Sequence, residues 1–500
     1  MARVPLLAGS RVVVVNTPDD AVLLRPPPPR EALADVAAAV RESLRFPLEG
    51  PPLATLARGA TRATIVVEPP SLPIPGSAND PRQAAVEGAS AALEAAGVPA
   101  QAQTLLVAGG LERRLGPGDI PLLVRPEFRR RFRGRVVVHD AEDPDLVYVG
   151  TSGRVPLRVA PSLVETDVVV VVSAAETVVH GGPSTLLAAA GSAALRPAGA
   201  WSLLETAGSQ GWQLAVAVER ALAERVPVVG VSLVLNPPQL VATSLRGYPY
   251  EEHAVERVAR SPFRRVFSLL PAPLRASVVR SLRRDLTAAA AYAGPPAVAH
   301  AEALLRAIAS RETVLDEPLD AIVLAVPPTT AHLPRELPNP LLAAHLALGI
   351  ALRLWRDAFP VADGGTAIVL HPFRRRFAHP TQQPYRTFFG ATRFGREPEE
   401  LREAEEAAAD DPRAIRAYRE GRACHPLLPF ADWAACQPAL SHLGSVLVAG
   451  CRDSVAARQL GLVPTGSVST ALQMARGRVG GEPRLGVLLT PPYFPIRVRS

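Results

Sequence analysis

TDVVVVVSAAETVVHGGPSTLLAAAG, residues 166–191, is the stretch on which the fold turns. Val168–Val172 is an unbroken β-branched run just after Asp167, with no polar residue alternating into it. A strand with one wet face alternates, whereas a strand buried on both faces reads as a continuous apolar run. The run therefore predicts an inner strand of a parallel sheet. His180 follows at the end of the strand segment, with Gly181 and Gly182 next. That pattern suits a binding loop, and it also suits an ordinary loop histidine.

Outward from this strand, similar short runs recur between helical stretches. Val12–Val15, Thr64–Val67, Thr104–Val107, Val136–His139 and Val228–Val234 read as strands. Glu31–Leu44 has helical apolar spacing, and Asp80–Ala96 reads as a helix capped by Asp80 and stopped at Gly97. A long helical stretch, Glu251 to Arg311, is broken by prolines and reads as a bridge. Asp320–Val326 opens a second unit with the helix Leu341–Ala358 and strands at Thr366–Leu370, Ser445–Val448 and Leu485–Leu489. The expectation is two α/β domains with mainly parallel sheets and an interdomain cleft. The expected bounds are residues 1–310, residues 317–485, and a tail at 486–500 that returns toward the first domain.

The chain has 500 residues, too many for one core. All 54 basic residues are arginine. Without lysine there is no P-loop amine on a phosphate and no Schiff base, which excludes pyridoxal phosphate chemistry of the usual kind. The net charge is +7, but the arginines are scattered apart from small clusters at Arg129–Arg133 and Arg374–Arg376. These read as solvated surface, so no nucleic-acid partner is expected. Cys424, Cys436 and Cys451 match no zinc spacing and are odd in number. A reducing cytoplasm is expected, with no signal peptide and no membrane span.

Several segments carry a resemblance that runs collinearly through nearly the whole chain. They include FPLEGPPLATLARGATRATIVVEPPSLPIP (46–75), LLVAGGLERRLG (105–116), VHDAEDPDLVYVGTSGRVPLRV (138–159) and GGPSTLLAAAG (181–191). DAIVLAVPP, NPLLAAHLALG, DGGTAIVLHP and LLTPPYFP follow in order. The chain resembles the nickel-pincer-dependent lactate racemase family. That resemblance implies an isomerase acting on a 2-hydroxy acid. Its cofactor is a nickel-pincer nucleotide tethered to a lysine, two histidines shuttle the hydroxyl proton, and an arginine and a lysine hold the substrate carboxylate.

Position by position, the chain departs from that pattern. Leu72 stands for the arginine of the carboxylate turn, Glu112 for one shuttling histidine, and His180 lies two positions beyond the other. A glutamate can serve as acid or base, and a two-residue shift on an extended chain keeps the same side. Glu112 and His180 are thus the candidate catalytic pair, on opposite faces of a carbon acid. Ser184 replaces the tethering lysine, so covalent attachment is excluded. No histidine occurs between His180 and His253 to bind nickel, and Trp201 lies near the expected place. Gly181, Gly182 and Ser184 remain candidates for holding a cofactor non-covalently. His345 replaces the substrate-holding lysine and, with His139 and Asp140, forms the candidate carboxylate site. His371, His379 and His425 match no metal spacing, and no metal ligand is assigned.

Three functions follow from this reading. One is a 2-hydroxy-acid racemase or epimerase with an altered site and no lactate racemase activity. The second is a non-catalytic relative that binds a small acid or nucleotide. The third is a scaffold partner of other enzymes. The expected pocket has His139, His180 and Glu112 on the first domain's wall, with His345 opposite.

Overall fold

The computed structural model describes residues 2–73, 80–329, 337–377, 379–479 and 481–499. Ile74 and Pro75, the end of the resembling segment 46–75, lie outside the described residues.

Val168–Ala174 is an inner strand with every residue buried. Its sheet has six strands, in the order Ala288–Gly294, Val228–Leu235, Val168–Ala174, Ala63–Val67, Gln103–Val107, Arg135–Val138. All neighbours are parallel except the first pair. Helices cover both faces, and two separate apolar clusters form, one on each side of the strands. Asp80 caps the helix Pro81–Ala95 as expected, its carboxylate accepting from the Arg82 amide.

The second sheet is parallel throughout. Its order is Val463–Thr465, Ser445–Ala449, Val361–Leu370, Leu319–Ala325, Leu485–Leu488, Val22–Leu24. A further short parallel sheet joins Thr313–Leu315, Ile496–Val498 and Trp355–Arg356.

Four elements differ from the sequence reading. The N-terminal residues do not belong to the first sheet. Ala2–Ala8 and Arg11–Thr17 form an antiparallel hairpin that packs on the second sheet, and Val22–Leu24 is that sheet's edge strand. The first helix starts later, at Val36, because Asp35 caps it by accepting from Ala38. Ala288–Gly294 lies inside the stretch read as helical but is a strand. Its alanines favour a helix weakly, and ladder bonds to Val228–Leu235 outweigh that preference. The helix expected over Leu341–Ala358 is α-helical only at Pro340–Ala344, widens into a π turn at His345–Ile350, and ends at Arg353. Arg353 is held there by Leu203, whose amide donates to its carbonyl, and by donation from its own guanidinium to Trp201 and Ala200.

Among the described residues no helix is long and apolar enough to cross a membrane.

Candidate functional site

Open α/β sheets present ligand sites beyond the carboxyl ends of their strands. Here Glu68 follows the strand Ala63–Val67, Glu176 follows Val168–Ala174, and Asn236 follows Val228–Leu235. The cleft at these ends is closed from the second domain's side by the C-terminal segment bearing Pro491, Tyr493 and Phe494. It measures about 680 Å³ with the space open to solvent included.

A buried ionic network forms its floor. Arg82 grips Asp80 with two hydrogen bonds of 3.1 Å and reaches Glu176 at 3.3 Å. Glu176 also accepts from the Ser71 amide at 2.9 Å and the Ser71 hydroxyl at 2.7 Å. Burial alone would raise the Glu176 pKa, but the Arg82 guanidinium and the Ser71 donors together hold it below the ordinary carboxylate value. Glu68 has the opposite environment. Burial first, and then the Glu176 charge, push its pKa up to about 8, with Arg82 offsetting only part. At neutral pH Glu68 is therefore a protonated acid beside an ionised Glu176.

Arg311 is the other buried cation of the cleft. It donates to the backbone carbonyls of Ala307 at 3.1 Å and Ala175 at 3.2 Å, and it makes no ion pair with a carboxylate among the described residues. Burial lowers its pKa, and the Glu176 charge counters this. The hydroxyl of Tyr493, also lining the cleft, is buried and has no hydrogen-bond partner among the described residues. Buried polar atoms are almost always paired, so a cation without a carboxylate and an orphaned hydroxyl in one cleft point to a ligand group.

The candidates named from sequence fall into three places. Glu112 and His180 border the network. Glu112 acts electrostatically on Glu68, and His180 acts on Glu176 while its Nδ1 bonds the Thr177 hydroxyl at 2.9 Å. His345 is not among the residues lining the cleft. Its ring is buried against Asp432 (Nε2 to Oδ1, 3.5 Å), which also accepts from Tyr385 at 2.6 Å.

His139 and Asp140 are placed in the seam between the domains. The His139 Nε2–H donates to the Ala190 carbonyl at 2.9 Å, and burial drives its pKa down to about 4. A neutral, committed imidazole does not attract a carboxylate. Asp140 pairs with Arg419 of the second domain at 2.9 Å and with Arg114 at 3.6 Å. Glu142 and His425 pair across the same seam at 3.0 Å. There the Tyr418 hydroxyl donates to Gly110 at 3.0 Å and accepts from the Ala141 amide at 3.1 Å.

Gly181 and Gly182 have a packing role that their sequence does not reveal. Both hold positive φ, and a Cβ at Gly182 would stand 2.3 Å from the Cβ of His300. His300 is fully buried; its Nε2 donates to the Thr177 carbonyl (2.9 Å) and its Nδ1 pairs with the Ser232 hydroxyl (3.2 Å). It fixes the loop that carries His180. Ser184 is buried and donates to the Val178 carbonyl at 3.2 Å.

Residues 9–181 match the sequence model of the lactate racemase N-terminal domain. Over that segment the chain is similar to lactate racemase N-terminal domains. Its whole length also follows the fold of the lactate racemase apoprotein from Thermoanaerobacterium thermosaccharolyticum, with a TM-score of 0.61, 14% identity and full coverage of both chains. A Thermotoga maritima protein of known structure aligns at a TM-score of 0.51 and 12% identity, over 94% of this chain and all of its own. No curated protein matches the sequence.

Ser184, at the position the resemblance gives to the tethering lysine, does not fit a covalently attached pincer cofactor. Ser184 has no amine, and its hydroxyl is turned to a backbone carbonyl. Among the described residues no group of three or more His, Cys, Asp or Glu side chains is arranged to hold a metal ion. Sequence reasoning missed Glu68, Arg82, Glu176, Arg311 and Tyr493. Tyr493 lies within LLTPPYFP, which reads as scaffold, and Arg311 is the last residue of a helix that reads as a bridge.

Proposed function

We propose that this protein binds a small carboxylate in the cleft between its two α/β domains and does not carry out pincer-mediated lactate racemisation. The observation that carries the reading is Arg311: a buried guanidinium with only backbone carbonyls for partners, next to the orphaned Tyr493 hydroxyl. A carboxylate suits that pair. Arg offers two parallel donors to its oxygens, and Tyr493 adds a third. The apolar Leu72 and Phe494 flank the charge and leave room for a short aliphatic body.

Calorimetric titration with a panel of 2-hydroxy acids tests this. Binding by the native protein, weakened at least tenfold in Arg311→Met, supports it. Equal binding by both proteins, or no binding of any acid, contradicts it. A racemase assay with lactate accompanies the titration, and measurable racemisation would overturn the second half of the proposal.

A second reading, isomerisation of the bound acid by direct proton transfer, draws support from the neighbouring protonated Glu68 and ionised Glu176. Two carboxyl groups whose surroundings separate their pKa values make an acid and a base. Glu112 and His180 border the same network. Deuterium entering C2 of a bound hydroxy acid in heavy water, and lost in Glu176→Gln, is the result this reading expects.

A further inference from the structure

Two surface regions of the chain are complementary in charge. Between Arg257 and Arg284 the chain has eight arginines and no acid, with Arg275 among them buried. This stretch contains the short helices Phe263–Leu269 and Ala272–Ser281. Phe263, Val266 and Leu269 recur at i, i+3 and i+6 along one side of the first helix, and all three are exposed, Leu269 at 85%. Leu274 is exposed on the next helix. Large apolar side chains clustered in water mark an interaction surface.

The second region is its opposite in sign. From Glu397 to Asp411 there are eight acids and one arginine, Arg402. The helix Pro398–Ala409 projects Glu399, Glu403 and Glu406 into solvent, and the exposed Phe394 (92%) stands just before it. Glu405 is already paired with Arg196, whereas Glu399, Glu403 and Glu406 form no ion pair among the described residues. The two regions pack on different parts of the fold. Phe263–Leu269 lies against the strand Arg11–Thr17, and the acidic helix lies against the helices Gln383–Ala391 and Leu428–Ala434.

We infer that the arginine-rich apolar face of one chain takes the acidic helix and Phe394 of a second copy. Opposed charge supplies orientation and encounter, and the apolar side chains supply the desolvated centre. Because the two faces differ, the contact is head-to-tail and repeats into a ring or a filament rather than stopping at a symmetric pair. An anionic lipid surface would satisfy the arginines and leave the acidic helix without a role, so a second copy accounts for more of the surface.

Sedimentation velocity on the full chain tests the inference with two variants. Glu403→Arg/Glu406→Arg reverses the acidic helix, and Arg280→Glu/Arg283→Glu reverses the basic face. The native protein is expected to self-associate at low salt and to dissociate as salt shortens the screening length to roughly 10 Å at 0.1 M and below. Each variant alone should associate at least tenfold more weakly. Mixing the two should restore association, since each retains one native face and the reversed faces also match. Restoration excludes misfolding as the cause. A native protein that is monomeric at every concentration, variants that associate like the native chain, or a monomer that co-sediments with phosphatidylglycerol vesicles would each overturn the inference.

Discussion

Arg311 and Glu68 set the chemistry of the cleft from opposite directions. Arg311 is a buried cation that donates only to backbone carbonyls among the described residues, with the Glu176 charge nearby, and Glu68 keeps its proton because it is buried and, next, because its neighbour Glu176 is ionised. The Glu68 pKa has a consequence for stability. In the unfolded chain a glutamate ionises near 4.5, whereas here it ionises near 8. Between those values the folded state holds a proton that the unfolded state has lost, so stability contributed by the protonated form declines as pH rises and levels off above about 8. Glu68→Gln is a neutral mimic of that protonated form. Urea denaturation at pH 5 and pH 8 should show the variant losing less stability over this interval than the native protein. A parallel loss would refute the buried-acid assignment. These residues were hard to see in the sequence for a physical reason. Glu68 and Glu176 are single carboxylates at strand ends, and their meaning comes only from each other and from Arg82, which a turn and a helix bring over from elsewhere in the chain. Glu112 and His180 drew attention in the sequence because of the resemblance, and in the structure they act electrostatically on Glu68 and Glu176.

Loops and seams decide what the elements do. Gly182 sits at a φ of 55°, and its missing side chain leaves room for His300. Gly182→Ala should cost roughly 2–4 kcal/mol in chemical denaturation, from the strained backbone and the overlap with His300 together. A cost below about 0.5 kcal/mol would mean that the helix bearing His300 can retreat freely. The seam joining Asp140 to Arg419 and Glu142 to His425 makes a separate prediction. Asp140→Asn keeps the volume and removes the charge. It should lower stability by about 1–2 kcal/mol. It should also speed amide hydrogen exchange in residues 110–114 and 418–425, leaving exchange in the Val168–Ala174 strand unchanged. Most elements were legible from their periods. The β-branched runs appear as strands where expected, and Asp80 caps its helix. Ala288–Gly294 was not legible, because alanine says helix and only the edge of the neighbouring strand says otherwise.

At the scale of the molecule, two sheets face one another across a cleft, and the chain crosses between them more often than its sequence suggests. Val22–Leu24 completes the second sheet before the first has begun, and Ile496–Val498 returns to pair with strands at Thr313–Leu315 and Trp355–Arg356. Such crossings depend on which edge is left open, and no local pattern encodes that. The mainly parallel α/β plan was nevertheless readable, since alternating buried strands and helices admit few other arrangements. A shared plan does not carry a shared reaction. The fold follows that of a lactate racemase apoprotein, while the groups lining its cleft include a buried guanidinium held by backbone carbonyls, a phenol without a hydrogen-bond partner among the described residues, and the Glu176 carboxylate. A crystal structure of the native protein soaked with a 2-hydroxy acid tests this most directly. The account predicts carboxylate density within hydrogen-bonding distance of Arg311 and Tyr493. Acid bound elsewhere with that pair left bare, or a nickel-pincer nucleotide seated in the cleft, would contradict it.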